Sequence, residues 1–120
     1  MGLTHVTVSL TNLRADGDPF EDVFLVNTGA IDCLAPAKAL FAAGIPVEGI
    51  ETYELANGEV VAYPYGFARV SFMRARTVTQ VIFGPENCVP FLGIAALENT
   101  GLCVDPATRS LVRIGAKPLK

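Results

Sequence analysis

Between Leu3 and Leu10 the apolar Val6, Val8 and Leu10 alternate with His5, Thr7 and Ser9, the period of a strand that buries one face. The Asp-, Gly- and Pro-rich segment Arg14–Pro19 interrupts the pattern as a turn, and Glu21–Val26 follows as a second strand. Its run Val23-Phe24-Leu25-Val26 predicts burial on both faces. A short helix is expected from Ala37 to Ala43: Pro36 suits a first turn, where its missing N–H costs nothing, and Gly44 suits the end. Glu51–Leu55 and Val60–Tyr63 flank Ala56-Asn57-Gly58-Glu59, where Asn-Gly supplies the positive φ angles of a tight hairpin turn. Phe67–Met73 and Thr77–Phe83 read as two more strands joined around Arg74-Ala75, followed by the turn Gly84-Pro85-Glu86-Asn87. Ile94–Asn99 reads as a second short helix stopped by Gly101, and Leu102–Val104 with Leu111–Ile114 as a closing hairpin. Short strands with frequent turns predict a mainly β fold, a small closed β-barrel or orthogonal sandwich with one or two short helices, in a single domain over residues 1–120.

Composition narrows the function classes. With 51% apolar and 18% charged residues, the 120-residue chain has material for one core. Its longest apolar stretch, Phe91–Leu97, is far below the ~18 residues of a spanning helix, and no basic-then-apolar leader opens the sequence. No membrane partner is expected, and the cytoplasm is the expected location. Met1-Gly2 invites an acylation reading, but Val6 stands where that pattern wants Ser or Thr. A net charge of −3 without a Lys/Arg cluster argues against nucleic acid; Arg69, Arg74 and Arg76 are close together but too few. Cys33, Cys88 and Cys103, an odd set with no close pair, suit reduced, buried thiols better than disulfides or a zinc site. His5, without neighbouring ligand types, reads as a surface residue.

Three segments occur in a telling order: "FLVNTGAIDCLAP", "ELANGEVV" and "VIFGPENCVPFLGIAALENTGLCVD". Together they resemble the retropepsins, the single-domain retroviral-type aspartic proteases, in their bacterial form. That family pattern is an apolar strand ending in Asp-Thr-Gly-Ala, a flap hairpin, and two apolar residues plus Gly opening a short helix. The resemblance implies an acid-protease barrel and catalytic positions Asn27, Thr28 and Gly29. Gly29 would let backbone approach substrate and partner loop without a Cβ between them, and Thr28 would hydrogen-bond across to the opposite loop. Ala30 and Asp32 would line the substrate cleft. Ala56, Asn57, Gly58 and Glu59 would form the flap tip over an extended peptide. One such loop per chain implies a homodimer with the site on its two-fold axis. Asn99-Thr100-Gly101 repeats the triplet, but it follows the helix-like "GIAALE" instead of a buried strand and is not expected to be a second loop. Phe91-Leu92-Gly93 is expected to pack beneath the catalytic loop.

In such a pair, like-charge repulsion lets only one carboxylate ionise; the charged one takes a proton from water and the other donates to the developing oxyanion. No metal or organic cofactor is implied. An amide at residue 27 keeps the shape of a carboxylate and removes the base, so the chain with Asn27 is expected not to cut peptides. Either an engineered Asp-to-Asn replacement or a natural non-catalytic peptide-binding module accounts for it, and the intact surrounding motif favours replacement. A third reading is an unrelated barrel in which Asn-Thr-Gly is only a turn. The aliphatic Val23–Val26, Ile31, Val60 and Val61 suggest a cleft that prefers apolar side chains beside the cut bond.

Overall fold

The structure, a computed structural model, describes residues 4–119. Leu3, expected to start the first strand, and the Met1-Gly2 pair lie outside the described residues. The chain runs β1 (His5–Thr11), β2 (Phe20–Val26), β3 (Cys33–Pro36), α1 (Ala37–Ala42), β4 (Gly49–Glu54), β5 (Val60–Phe72), β6 (Ala75–Gly84), β7 (Phe91–Leu92), α2 (Ile94–Thr100), β8 (Leu102–Val104) and β9 (Leu111–Arg113).

Six strands close on themselves in the order β1-β2-β7-β3-β6-β5, with β5 pairing back onto β1 through Thr11↔Arg69, Leu10↔Val70 and Ser9↔Ser71. Closure removes the open edges that a flat sheet would expose. The fold is therefore a mainly β, closed six-stranded barrel with two short helices. Its interior is filled from alternate strand positions by Val8, Leu10, Phe24, Val70, Val81 and Leu92, while Leu40 of α1 and Leu97 of α2 seal it from outside the ring.

β4 stands apart from the ring. It pairs antiparallel with the first half of β5, from Glu54↔Val60 to Gly49↔Tyr65, and with no other strand among the described residues. The second half of β5, from Tyr65 to Phe72, pairs with β6. One 13-residue strand thus belongs to the barrel at one end and to a projecting hairpin at the other. Two residues permit this. The Tyr65 carbonyl accepts the Glu48 N–H at 2.8 Å, facing β4, so the nitrogen of Pro64 faces the opposite side, where β6 has not yet begun to pair and no donor is missed. At Gly66 the Pro46 carbonyl occupies the space a Cβ would need.

The helices agree with the pattern. Pro36 precedes α1 with φ −60° and ψ 135°, and Gly44, at φ 77°, takes the left-handed conformation beyond it. Gly101, at φ 70°, ends α2. Several expectations need correction. Val23–Val26 is not buried on both faces: Phe24 is in the core, but Val23 is exposed and Leu25 and Val26 are half-buried. Cys33 is buried, whereas Cys88 and Cys103 are only half-buried; all three are free thiols. β3 and β7 carry no pattern of their own, because strands of four and two residues are too short for a period to show. The β5–β6 connection is Met73-Arg74, one residue earlier than expected, since Phe72 pairs with Ala75.

Both residues of that two-residue turn have positive φ, 51° at Met73 and 63° at Arg74. This is the backbone of a turn that favours Asn-Gly, and side chains with a Cβ beyond Asn pay a steric cost there. Replacing Met73→Asn together with Arg74→Gly is expected to stabilise the protein by about 1 kcal/mol. Urea denaturation would show a higher midpoint at unchanged slope; an unchanged or lower midpoint would mean that the turn stores no strain.

Candidate functional site

The connection from β2 to β3, Asn27–Asp32, is held from below by β7 and the start of α2. The Asn27 N–H donates to the Leu92 carbonyl at 2.9 Å, and the Leu25 N–H to the Pro90 carbonyl at 3.0 Å. Within the loop, the Ala30 N–H donates to the Asn27 carbonyl at 3.2 Å, and the Gly29 N–H to Asn27 Oδ1 at 3.1 Å. The Ile94 and Ala95 N–H groups, which an α-helix leaves without partners in its first turn, donate to the Ala30 and Ile31 carbonyls at 2.7 and 3.1 Å. Gly93 makes this approach possible, because a Cβ there would occupy the space of the Ile31 and Asp32 carbonyl oxygens. Phe91-Leu92-Gly93 thus lies beneath the loop. Leu92 is fully buried and Phe91 half-buried against the cleft.

Above the loop, the β4–β5 hairpin forms an arm. Between them lies a cleft of about 1010 Å³, a size suited to an extended ligand. Its apolar walls come from Ile31, Leu34, Leu55, Val61, Ile82 and Phe91. Of the aliphatic residues expected to supply those walls, Ile31 and Val61 do so. Val23–Val26 and Val60 do not line the cleft, and Val60 is 65% exposed. Among the described residues, the lining includes the carboxylates of Asp32, Glu51 and Glu54 and no Lys, Arg or His.

Asn27, Gly29, Ala30, Asp32 and Ala56 are brought together around this cleft. Thr28 is adjacent but exposed, and no hydrogen bond within the described residues engages its hydroxyl. Asn57, Gly58 and Glu59 form the arm's exposed tip and do not line the cleft. The tip is a three-residue loop, not the tight turn with positive φ at both Asn57 and Gly58 that was expected. The Gly58 N–H donates to the Leu55 carbonyl at 2.9 Å, and the Leu55 N–H to the Glu59 carbonyl at 2.8 Å. Only Gly58, at φ 87°, is left-handed. Asn57 contributes through its side chain instead, with Oδ1 accepting the Glu59 N–H at 2.9 Å. Asn99-Thr100-Gly101 closes α2, where the Thr100 hydroxyl donates back to the helix, with the Ala96 and Leu97 carbonyls at 2.8 and 3.0 Å. It is not a second loop of the Asn27 kind.

Two site residues escape a motif search. The Tyr53 hydroxyl donates to Asp32 Oδ2 at 2.8 Å and accepts from Gln80 Nε2 at 3.4 Å. The available signal was the two-residue period of β4, which puts Glu51, Tyr53 and Leu55 on one face. Burial raises the Asp32 carboxyl above its ordinary value; the Tyr53 hydrogen bond pulls it back in part and the charge of Glu51 pushes it further up. Burial and then the Asp32 hydrogen bond raise the Tyr53 phenol, so it remains a donor. Burial lifts the Cys33 thiol to about 11, against a smaller opposing effect of the Gly93 N–H, and also raises Cys88 on the cleft wall, so neither is a ready thiolate. Among the described residues, no group of three or more His, Cys, Asp or Glu is arranged to hold a metal, and no helix is long and apolar enough to cross a membrane. His5 is exposed on β1, away from the cleft lining.

The fold and site define a closed β-barrel whose arm covers a largely apolar cleft with the Asn27 loop at its floor. No protein-family model matches the chain, and no curated protein is significantly similar to it.

Because the folded state raises the Asp32 carboxyl, it favours the protonated form. That contribution to stability is complete below the unfolded-state value near 3.8 and is lost as pH rises through the elevated folded value. Asp32→Asn, neutral at every pH, is therefore expected to be more stable than the parent at pH 7, with the difference shrinking towards pH 4. Urea midpoints across that range check this; a variant less stable at pH 7 would contradict it.

Proposed function

We propose that this chain is one subunit of a homodimeric aspartic endopeptidase of the retropepsin type, in a form whose Asn27 stands where the catalytic acid acts. The observation that carries the reading is the Asn27-Thr28-Gly29 loop at the floor of the arm-covered cleft, rigidly backed by Gly93 and α2. Two details support the pairing of subunits. Thr28 and Gly29 are exposed, and no hydrogen bond from the described residues engages the Thr28 hydroxyl. Among the described residues nothing demands glycine at position 29: its φ is not positive, and an added Cβ would meet only Asn27 Oδ1, at 3.4 Å. On this reading a bare backbone there leaves room for substrate or for the second copy to approach.

In the aspartate form the two loops hold a water between carboxylates that share one proton. The charged carboxylate takes the water proton during attack on the peptide carbonyl, and its neighbour donates to the oxyanion. The apolar walls seat side chains on either side of the cut bond, and the arm supplies backbone partners to an extended strand of substrate. With Asn27 in both subunits the seat remains and the base is gone. The free cysteines suit a reducing compartment, the cytoplasm, as part of the same proposal.

A second reading, a non-catalytic peptide-binding module, draws on the same residue. The Asn27 amide is well accommodated, its oxygen accepting the Gly29 N–H, and the cleft is complete around it.

Asn27→Asp separates the two. The endopeptidase reading expects it to confer peptide cleavage at acidic pH, blocked by a peptide mimic bearing a tetrahedral hydroxyl at the cut position. A folded dimer that binds peptides but cleaves none in a broad library would favour the binding module. A chain that sediments only as monomer at micromolar concentration, with or without peptide, would contradict both.

A further inference from the structure

Among the described residues, the Tyr53 hydroxyl makes the only side-chain hydrogen bonds that join β4 to the barrel. Its two partners are on fixed ground. Asp32 ends the loop that Gly93 and α2 hold from below, and Gln80 sits on β6, paired with Phe67 of β5. β4 itself is the outermost strand and, among the described residues, its only strand pairing is with β5. The bonds also have one direction: the Gln80 amide donates to the phenol oxygen, and the phenol donates to the carboxylate. Each polarises the next, and the last is assisted by charge.

The geometry points to Tyr53 as the positioning residue that sets the arm over the Asn27–Asp32 loop, its hydroxyl clamped between Gln80 and Asp32 so that the hairpin is held in the peptide-gripping position. The role of the gripped peptide rests on the endopeptidase reading; the clamp itself does not. Three elements distant in sequence meet at one oxygen atom: the loop after β2, the arm strand β4 and the barrel strand β6. Loss of that oxygen releases the arm without disturbing the closed ring, whose pairings do not involve β4. Closure by a hydrogen bond to Asp32 also ties arm position to the same loop that presents residue 27, so that one segment holds both the floor and the latch of the cleft.

Tyr53→Phe tests this, since the ring is kept and only the hydroxyl is removed. In the Asn27 protein without peptide, amide hydrogen exchange over residues 50–62 is expected to accelerate by about tenfold or more, with exchange in β1 and the barrel half of β5 unchanged. Asp32→Ala should reproduce the effect. Asp32→Asn should restore most of the protection, because its amide oxygen still accepts the phenol hydrogen. The double variant Tyr53→Phe/Asp32→Ala should be no more mobile than Tyr53→Phe alone, which already removes the bond to Asp32. In the Asn27→Asp background, Tyr53→Phe should raise KM about tenfold with a smaller change in kcat, the split expected of lost substrate grip. Arm exchange in Tyr53→Phe equal to that of the parent, additive single effects, or Asp32→Asn behaving as Asp32→Ala would overturn the proposal. If Asn27→Asp cleaves nothing while the exchange effects appear, the endopeptidase reading falls and the positioning role stands.

Discussion

The site depends on a missing side chain. Because Gly93 has no Cβ, the β7–α2 junction lies directly against the Ile31 and Asp32 carbonyls, and the first N–H groups of α2 reach the carbonyls of Ala30 and Ile31. A connection of six residues between two strands would otherwise be free to sample many backbone states, at an entropic cost of roughly 1–2 kcal/mol per residue fixed. Here its carbonyls satisfy donors that a helix start leaves unpaired, so loop and helix complete each other. The position of Asn27, the orientation of Asp32 and the anchoring of Tyr53 all follow from that one close approach.

The closed ring gives the floor and the arm different support. All six barrel strands have neighbours on both sides, whereas β4 has one, and the arm's exposed tip carries only local turn hydrogen bonds. The cleft is therefore bounded by one wall built on the closed ring and one built on a singly paired strand, joined by the hydroxyl of Tyr53. Its mixture of aliphatic lining and carboxylates, with no lining cation among the described residues, suits an extended apolar chain better than an anion.

Much of this was legible in the sequence, and the exceptions have physical reasons. Alternation in β1, the proline and glycine bounds of α1, the Gly101 stop of α2 and the hairpin around Asn57-Gly58 are local signals, and each appears where the pattern put it. β3 and β7 left no trace because their pairings, with β6 and with β2, are made across long sequence separations by very few residues. Val23 departs from the pattern because an apolar residue in a strand need not be buried, and β2 leaves it on the outer surface. Asn57 misled because the same residue type serves a tight turn by its backbone or a wider one by its side chain. Of the site, the Asn27 loop and the arm were visible as motifs. Tyr53 and Gln80 were not, since they acquire meaning only when β4 is folded over β6.

The central claim is that two copies of the Asn27 loop meet and share one site. Isotope-filtered NMR on a mixture of labelled and unlabelled subunits measures that contact without altering a residue. The account predicts intermolecular Overhauser effects between the Thr28 methyl group of one subunit and the Asn27 side-chain amide of the other. A monomer, or a dimer in which these groups show no such effects and contacts arise from another face, would contradict it.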